Sequence, residues 1–177
     1  LAPILPPATL AVERGIAMLG QATEALMQRR GGRRPLLLVD DDYWVVHDRL
    51  VDDRPHDYVA RWHLDPSVPT PEVLARRGIT VAGNGVLSIT VPNGSGSVTI
   101  ERGWVSPEYG VKEAAPVVVV TAQRGPSAEL IAVIAPDGRA PSAVTCSDGH
   151  GGVVDMTIDW VTHSDRVRLD ADRLDVE

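Results

Sequence analysis

Beyond Gly32 the chain keeps no helical period. It becomes a succession of short Val-, Leu-, Ile- and Thr-rich runs separated by Gly, Pro, Asp and Asn. Runs of this length read as strands, and the separators are residues that let a backbone reverse. Strands are expected at 36–39, 43–47, 58–64, 79–82, 86–91, 97–101, 117–122, 129–134, 144–146, 153–161 and 166–169, about eleven in all. With no crossover helices between them, such strands must pair antiparallel, and a two-layer antiparallel β-sandwich is the expected architecture. Val117 to Val120 is apolar at every position, so it should be a central strand covered on both faces. Thr157 to Val161 alternates, as a half-buried strand does.

Ahead of these runs, Ala8 to Arg30 contains no Pro, and Val12, Ile16, Leu19, Thr23 and Leu26 recur at helical spacing. Pro6 and Pro7 stand at the entrance, Thr9 can cap the first turn, and Arg29 and Arg30 lead into Gly31 and Gly32, a suitable C-terminus. One N-terminal α-helix is therefore expected, with 1–32 as helix and linker and 33–177 as the sandwich domain. The apolar stripe of the helix is a candidate surface for a homo-oligomer. At 177 residues the chain suits one domain of ordinary size.

The chain has no Phe, four Trp and three Tyr, so Val, Leu, Ile and Ala must build most of the core and each ring matters. Trp44, Tyr58 and Trp62 fall in neighbouring expected strands and suggest a cross-strand aromatic cluster in the core; facing solvent, the same rings would form a platform for sugars. An apolar content of 44% argues against disorder. A net charge of −7 gives no general attraction to nucleic acid or to an anionic membrane, and no run resembles a membrane span. Cys146 is the single cysteine, which excludes an internal disulfide, and its place on an expected strand suggests a buried, inert thiol. The start LAPILPP lacks the basic region and long apolar core of a signal peptide, so the chain reads as a mature segment or a piece of something longer.

Two stretches stand out together. The first runs from Leu36 through Val45, Val46, His47, Asp48 and Arg49 to His63, Leu64 and Pro66. The second opens with Gly103, Trp104, Ser106, Tyr109 and Gly110 and continues through the valine run to Ala135 and Pro136. In order and spacing this resembles the C-terminal β-sandwich domain of heparinase II/III-like proteins, a family of polysaccharide lyases and relatives. The resemblance covers roughly residues 33 to 138.

The resemblance implies a uronate-containing anionic polysaccharide as substrate, β-elimination as the reaction, and a secreted or periplasmic location. It also implies that the main catalytic groups lie in a helical toroid domain upstream, which one helix cannot supply. Whether this chain is an enzyme is thus uncertain, and no catalytic residue is assigned. A catalytic His carried by the sandwich in some members has no counterpart, because the corresponding stretch, Gln28 to Pro35, holds no His. Arg61, His63, Trp104 and Tyr109 are the candidate substrate-binding residues at the wall of the cleft. Asp48 and His63 match the family's metal ligands in type. Two ligands are too few for zinc; His47 or His56 could complete the set, but His47, adjacent to Asp48 on a strand, should point the other way, so no cofactor is expected, with a zinc or calcium site as the alternative. The rival reading is a non-catalytic carbohydrate- or protein-binding module using exposed tryptophans.

Overall fold

A computed structural model describes residues 36–76, 79–148, 153–169 and 174–176. In chain order the strands are β1 (Leu36–Val39), β2 (Tyr43–His56), β3 (Val59–His63), β4 (Glu72–Arg76), β5 (Ile79–Gly83), β6 (Ser88–Pro92) and β7 (Ser97–Val105). They continue with β8 (Glu113–Thr121), β9 (Gly125–Ala135), β10 (Ala143–Asp148), β11 (Val154–Asp159), β12 (Ser164–Leu169) and β13 (Leu174–Val176). Every pairing is antiparallel. No helix occurs among the described residues, and the expected N-terminal helix, with its oligomer surface, lies outside them.

The architecture has three layers rather than the expected two. A six-stranded sheet, ordered β1-β2-β9-β6-β5-β4, lies between a three-stranded sheet, β3-β8-β7, and a four-stranded sheet, β10-β11-β12-β13. The cause is visible in β9, where alternate residues feed two separate cores. Ile131, Val133 and Ala135 pack with Met156, Ile158 and Leu169 of the four-stranded sheet. Leu130, Ala132 and Ile134 pack with Trp62, Val118 and Val120 of the three-stranded sheet. A strand apolar on both faces must be covered on both, and each fully buried Val, Leu or Ile contributes about 1.5–3 kcal/mol toward that cover. The middle sheet is thus the shared inner layer of two sandwiches.

The valine run behaves as expected: Val117 to Val120 form the middle of β8, all nearly fully buried. Val118 and Val120 face the six-stranded sheet. Val117 and Val119 alternate with them, on the outer face, in register with His63 and Glu101 and with Arg61 and Thr99.

Several sequence expectations change. Strand β2 runs on to His56, so Asp48 and Arg49 lie inside a strand rather than at its end, with a register shift between Val51 and His56. Strands β4 and β13 are additional to the expected set. Trp44 and Trp62 do share a core, but across two layers rather than on neighbouring strands of one sheet. Tyr58 stands apart from them, its ring 6.3 Å from His56 and its hydroxyl donating to the Pro126 carbonyl at 3.2 Å. Cys146 is exposed rather than buried.

The four-stranded sheet is fastened to the middle one by polar chemistry as well as packing. The Asp165 carboxylate accepts from the Tyr43 hydroxyl at 2.8 Å and from the Trp160 indole N–H at 3.0 Å. Burial, together with this acceptor, pushes the Tyr43 phenol well above its ordinary pKa, so it stays a donor at every physiological pH. Trp160 also lies 4.9 Å from the Tyr43 ring and carries the Arg139 guanidinium 4.6 Å from its own centroid. Arg139 in turn pairs with Asp42 and with Asp137.

Candidate functional site: the outer corner of the three-stranded sheet

Strand alternation decides what this corner presents. On β3, Ala60 and Trp62 are buried while Arg61 and His63 are exposed, so both candidate side chains point away from the core. On β7 the parity runs from Ile100, which packs inward, through Arg102 to Trp104. Glu101 and Gly103 therefore share the outer face with Arg61 and His63, whereas Arg102 and Trp104 project from the opposite face.

His63 reaches sideways across β8. Its Nδ1 lies 3.1 Å from the Trp104 carbonyl oxygen, a hydrogen bond in which the ring N–H donates. Gly103 makes this approach feasible. A Cβ there would stand 3.4 Å from His63 Cε1 and only 2.4 Å from Val117 Cγ2, so the imidazole rests over backbone where a side chain would otherwise stand. Arg61 Nε lies 3.8 Å from Glu101 Oε2, and both side chains are half-exposed, so this ion pair contributes little and leaves the guanidinium available.

On the opposite face the Trp104 ring is half-exposed, at 51%, with the Lys112 ammonium 4.5 Å from its centroid. Lys112 immediately precedes β8 and shares Trp104's parity, since Trp104 pairs with Ala114. Arg102 is exposed on that same face. Tyr109 occupies the β7–β8 connection and is fully exposed, with Gly110 after it at φ 80°.

The four candidate substrate-binding residues thus divide. Arg61 and His63 share the outer face, the Trp104 ring is on the other face and is tied to His63 through its backbone carbonyl, and Tyr109 caps the hairpin. Lys112, not singled out in the sequence, puts a cation over the indole, and Arg102, also not singled out, shares that face of β7. Counting parity from Ile100 is the signal that finds them.

Asp48 and His63 are not brought together. Asp48 is 1% exposed in β2, on the Val46 face that meets the three-stranded sheet. His63 points from the far side of that sheet. His47 points into the opposite core, as alternation requires, and His56 pairs with Asp52 at 3.3 Å. Among the described residues no group of three or more His, Cys, Asp or Glu is arranged to hold a metal ion.

His47 is 4% exposed, and its Nε2 has no hydrogen-bond partner among the described residues; Glu129 Oε2 lies 3.9 Å away. Burial lowers its pKa below the ordinary imidazole value, partly opposed by Glu129 and Asp48. This histidine belongs to the fold rather than to the surface.

Comparison with known proteins places the chain. Residues 26–152 match the model of the family described as "Heparinase II/III-like, C-terminal". No curated protein matches the sequence. Among solved structures, a mutant heparan sulfate lyase HepC from Pedobacter heparinus is similar at 15% identity with a TM-score of 0.57, over 78% of this chain and 23% of that one. A heparinase III, the BT4657 gene product, is similar at 16% identity with a TM-score of 0.57, also over 78% of this chain and 23% of that one. At such identities the likeness is one of fold, and this chain corresponds to under a quarter of the length of either protein. The family match, spanning most of the chain, establishes that this protein belongs to the heparinase II/III-like C-terminal domain family.

Proposed function

We propose that the chain is the C-terminal sandwich domain of a polysaccharide lyase, walling one side of a cleft for a uronate-containing polysaccharide and inactive without a helical toroid domain. The observation that carries this reading is the Trp104 corner, where a half-exposed indole sits with Lys112 over its ring and Arg102 on the same face. An aromatic face suits the C–H face of a pyranose, and neighbouring cations suit a sugar carboxylate. On a chain of net charge −7 this is a local concentration of positive charge.

The domain's contribution is binding and orientation. β-Elimination removes the proton beside the uronate carboxylate, so a group that neutralises that carboxylate favours the developing negative charge. Lys112 and Arg102 are suited to that neutralising role, with Arg61 and His63 meeting the chain on the outer face and Tyr109 at the hairpin tip. The similarity in fold to a heparan sulfate lyase and a heparinase supports the substrate class. An extracellular or periplasmic location follows from the same reading.

The test is a titration of the chain with uronate oligosaccharides, read by tryptophan fluorescence. Quenching that is lost in Trp104→Ala supports the reading, and depolymerisation of a glycan by the chain unaided would overturn its second half. An unchanged spectrum with every uronate oligosaccharide would overturn the wall assignment. Equal quenching by neutral oligosaccharides would favour a general carbohydrate-binding module.

A further inference from the structure

The solvent face of the four-stranded sheet carries a second set of anion-recognising groups, unrelated to the Trp104 corner. A groove of about 430 Å³ opens over β10, β11 and β12. The register there places Thr145, Thr157 and Arg166 side by side in one row, with Ser147, Asp155 and Arg168 in the next. Adjacent strands lie about 4.8 Å apart, so each row spans about 10 Å, the length of a sugar ring with its substituents. Alternation turns Met156 and Val167 into the core, leaving these six polar side chains on the solvent side.

The two rows differ in how their charges are spent. Arg168 donates to both Asp155 carboxylate oxygens, at 2.9 and 3.4 Å, so that acid is already neutralised. Arg166 makes no ion pair with any described residue, and neither the Thr145 nor the Thr157 hydroxyl is engaged by one. The groove therefore presents, at the end of one row, a guanidinium fork with no ion-pair partner among the described residues, with the Thr157 and then the Thr145 hydroxyl beside it, next to a neutralised pair. A guanidinium fork matches a carboxylate or a sulfate oxygen pair, and in-register hydroxyls match the ring hydroxyls beside such a group.

We propose that this groove is a second glycan site, binding a carboxylate- or sulfate-bearing sugar with Arg166 on the anionic group and Thr145 and Thr157 on neighbouring hydroxyls. The inference rests on the polysaccharide reading for its choice of ligand but not on the Trp104 corner. A lyase with such a site would hold its polymer at a second point, and two linked contacts raise effective affinity without a new interface at the cleft.

The experiment is amide-resolved NMR on the full chain, titrated with a heparan-sulfate tetrasaccharide, with sodium sulfate and with uncharged cellotetraose. With the tetrasaccharide, saturable shifts are expected at Thr145, Thr157 and Arg166, retained in Trp104→Ala and weakened about tenfold or more in Arg166→Gln. Arg166 is exposed, and the unshifted remainder of the spectrum reports that the variant is folded. Unchanged affinity in Arg166→Gln, or shifts confined to the Trp104 region, would overturn the second site while leaving the wall reading standing. Shifts at Arg166 with none near Trp104 would do the reverse. Equal affinity for sulfate alone would overturn the sugar assignment, and equal affinity for cellotetraose would overturn the anionic one.

Discussion

Replacing Gly103 with Ala tests how the candidate corner is built. The added Cβ would stand 2.4 Å from Val117 Cγ2, against the 3.5–4.0 Å at which carbon atoms rest. Val117 is 2% exposed in the central strand of its sheet, so it has little room to turn aside. Overpacking of this kind costs about 1–3 kcal/mol. The loss of backbone freedom in the unfolded chain offsets about 0.4–1 kcal/mol of that. The net expectation is a destabilisation of about 1–2 kcal/mol, or a fall in Tm of about 2–8 °C. Urea unfolding followed by tryptophan fluorescence measures it. A Val117→Ala background supplies the control, since the second substitution removes the atom that is struck, and Gly103→Ala should then cost clearly less. Strict additivity of the two substitutions, or a Gly103→Ala chain as stable as the parent, would refute the steric account of this corner.

Other perturbations separate the remaining devices. Asp165→Ala strands the Tyr43 hydroxyl and the Trp160 indole N–H without their shared acceptor; at about 1–3 kcal/mol per unsatisfied buried donor, chemical denaturation should show a loss of roughly 2 kcal/mol or more. His47 is neutral in the fold with a lowered pKa, so the unfolded chain binds the extra proton first. Its contribution is complete above the ordinary imidazole pKa of about 6.5 and is lost as pH falls from there toward the folded value. Unfolding free energies measured across that window should fall with acid in the parent and fall less steeply in His47→Leu; parallel curves would count against a buried neutral imidazole. Gly110→Ala places a methyl in open space at φ 80°, so only backbone strain opposes it, and a loss of about 1 kcal/mol is expected by thermal melting.

Much of the β architecture is legible in local patterning. Alternation and turn residues mark most of the strands, and the uninterrupted valines mark β8 as the buried central strand of its sheet. The strands that patterning misses are informative. In β4, Val73 and Leu74 are both largely exposed at the sheet edge, so no period-two burial is written into it. The second half of β2, with Asp52, Asp53, Arg54 and Pro55, reads as loop and is held as strand by its pairing with β9 around a register shift. The candidate site is legible residue by residue but not as a surface. Trp104 and His63 read as one wall until parity along β7 and β3 sends their rings to opposite faces.

Residue periodicity and turn chemistry are local properties, so an antiparallel β chain built on aliphatic side chains can be read from the residues alone, while the resemblance to the heparinase II/III-like C-terminal domains is carried by the order and spacing of the 36–66 and 103–136 motifs. That the strands form three sheets rather than two, that a layer separates Asp48 from His63, and that Lys112 covers Trp104 emerge from long-range packing alone. A strand's alternation states which residues share a face. What that face meets depends on pairing with segments tens of residues away, whose register is set by the packing of the whole core.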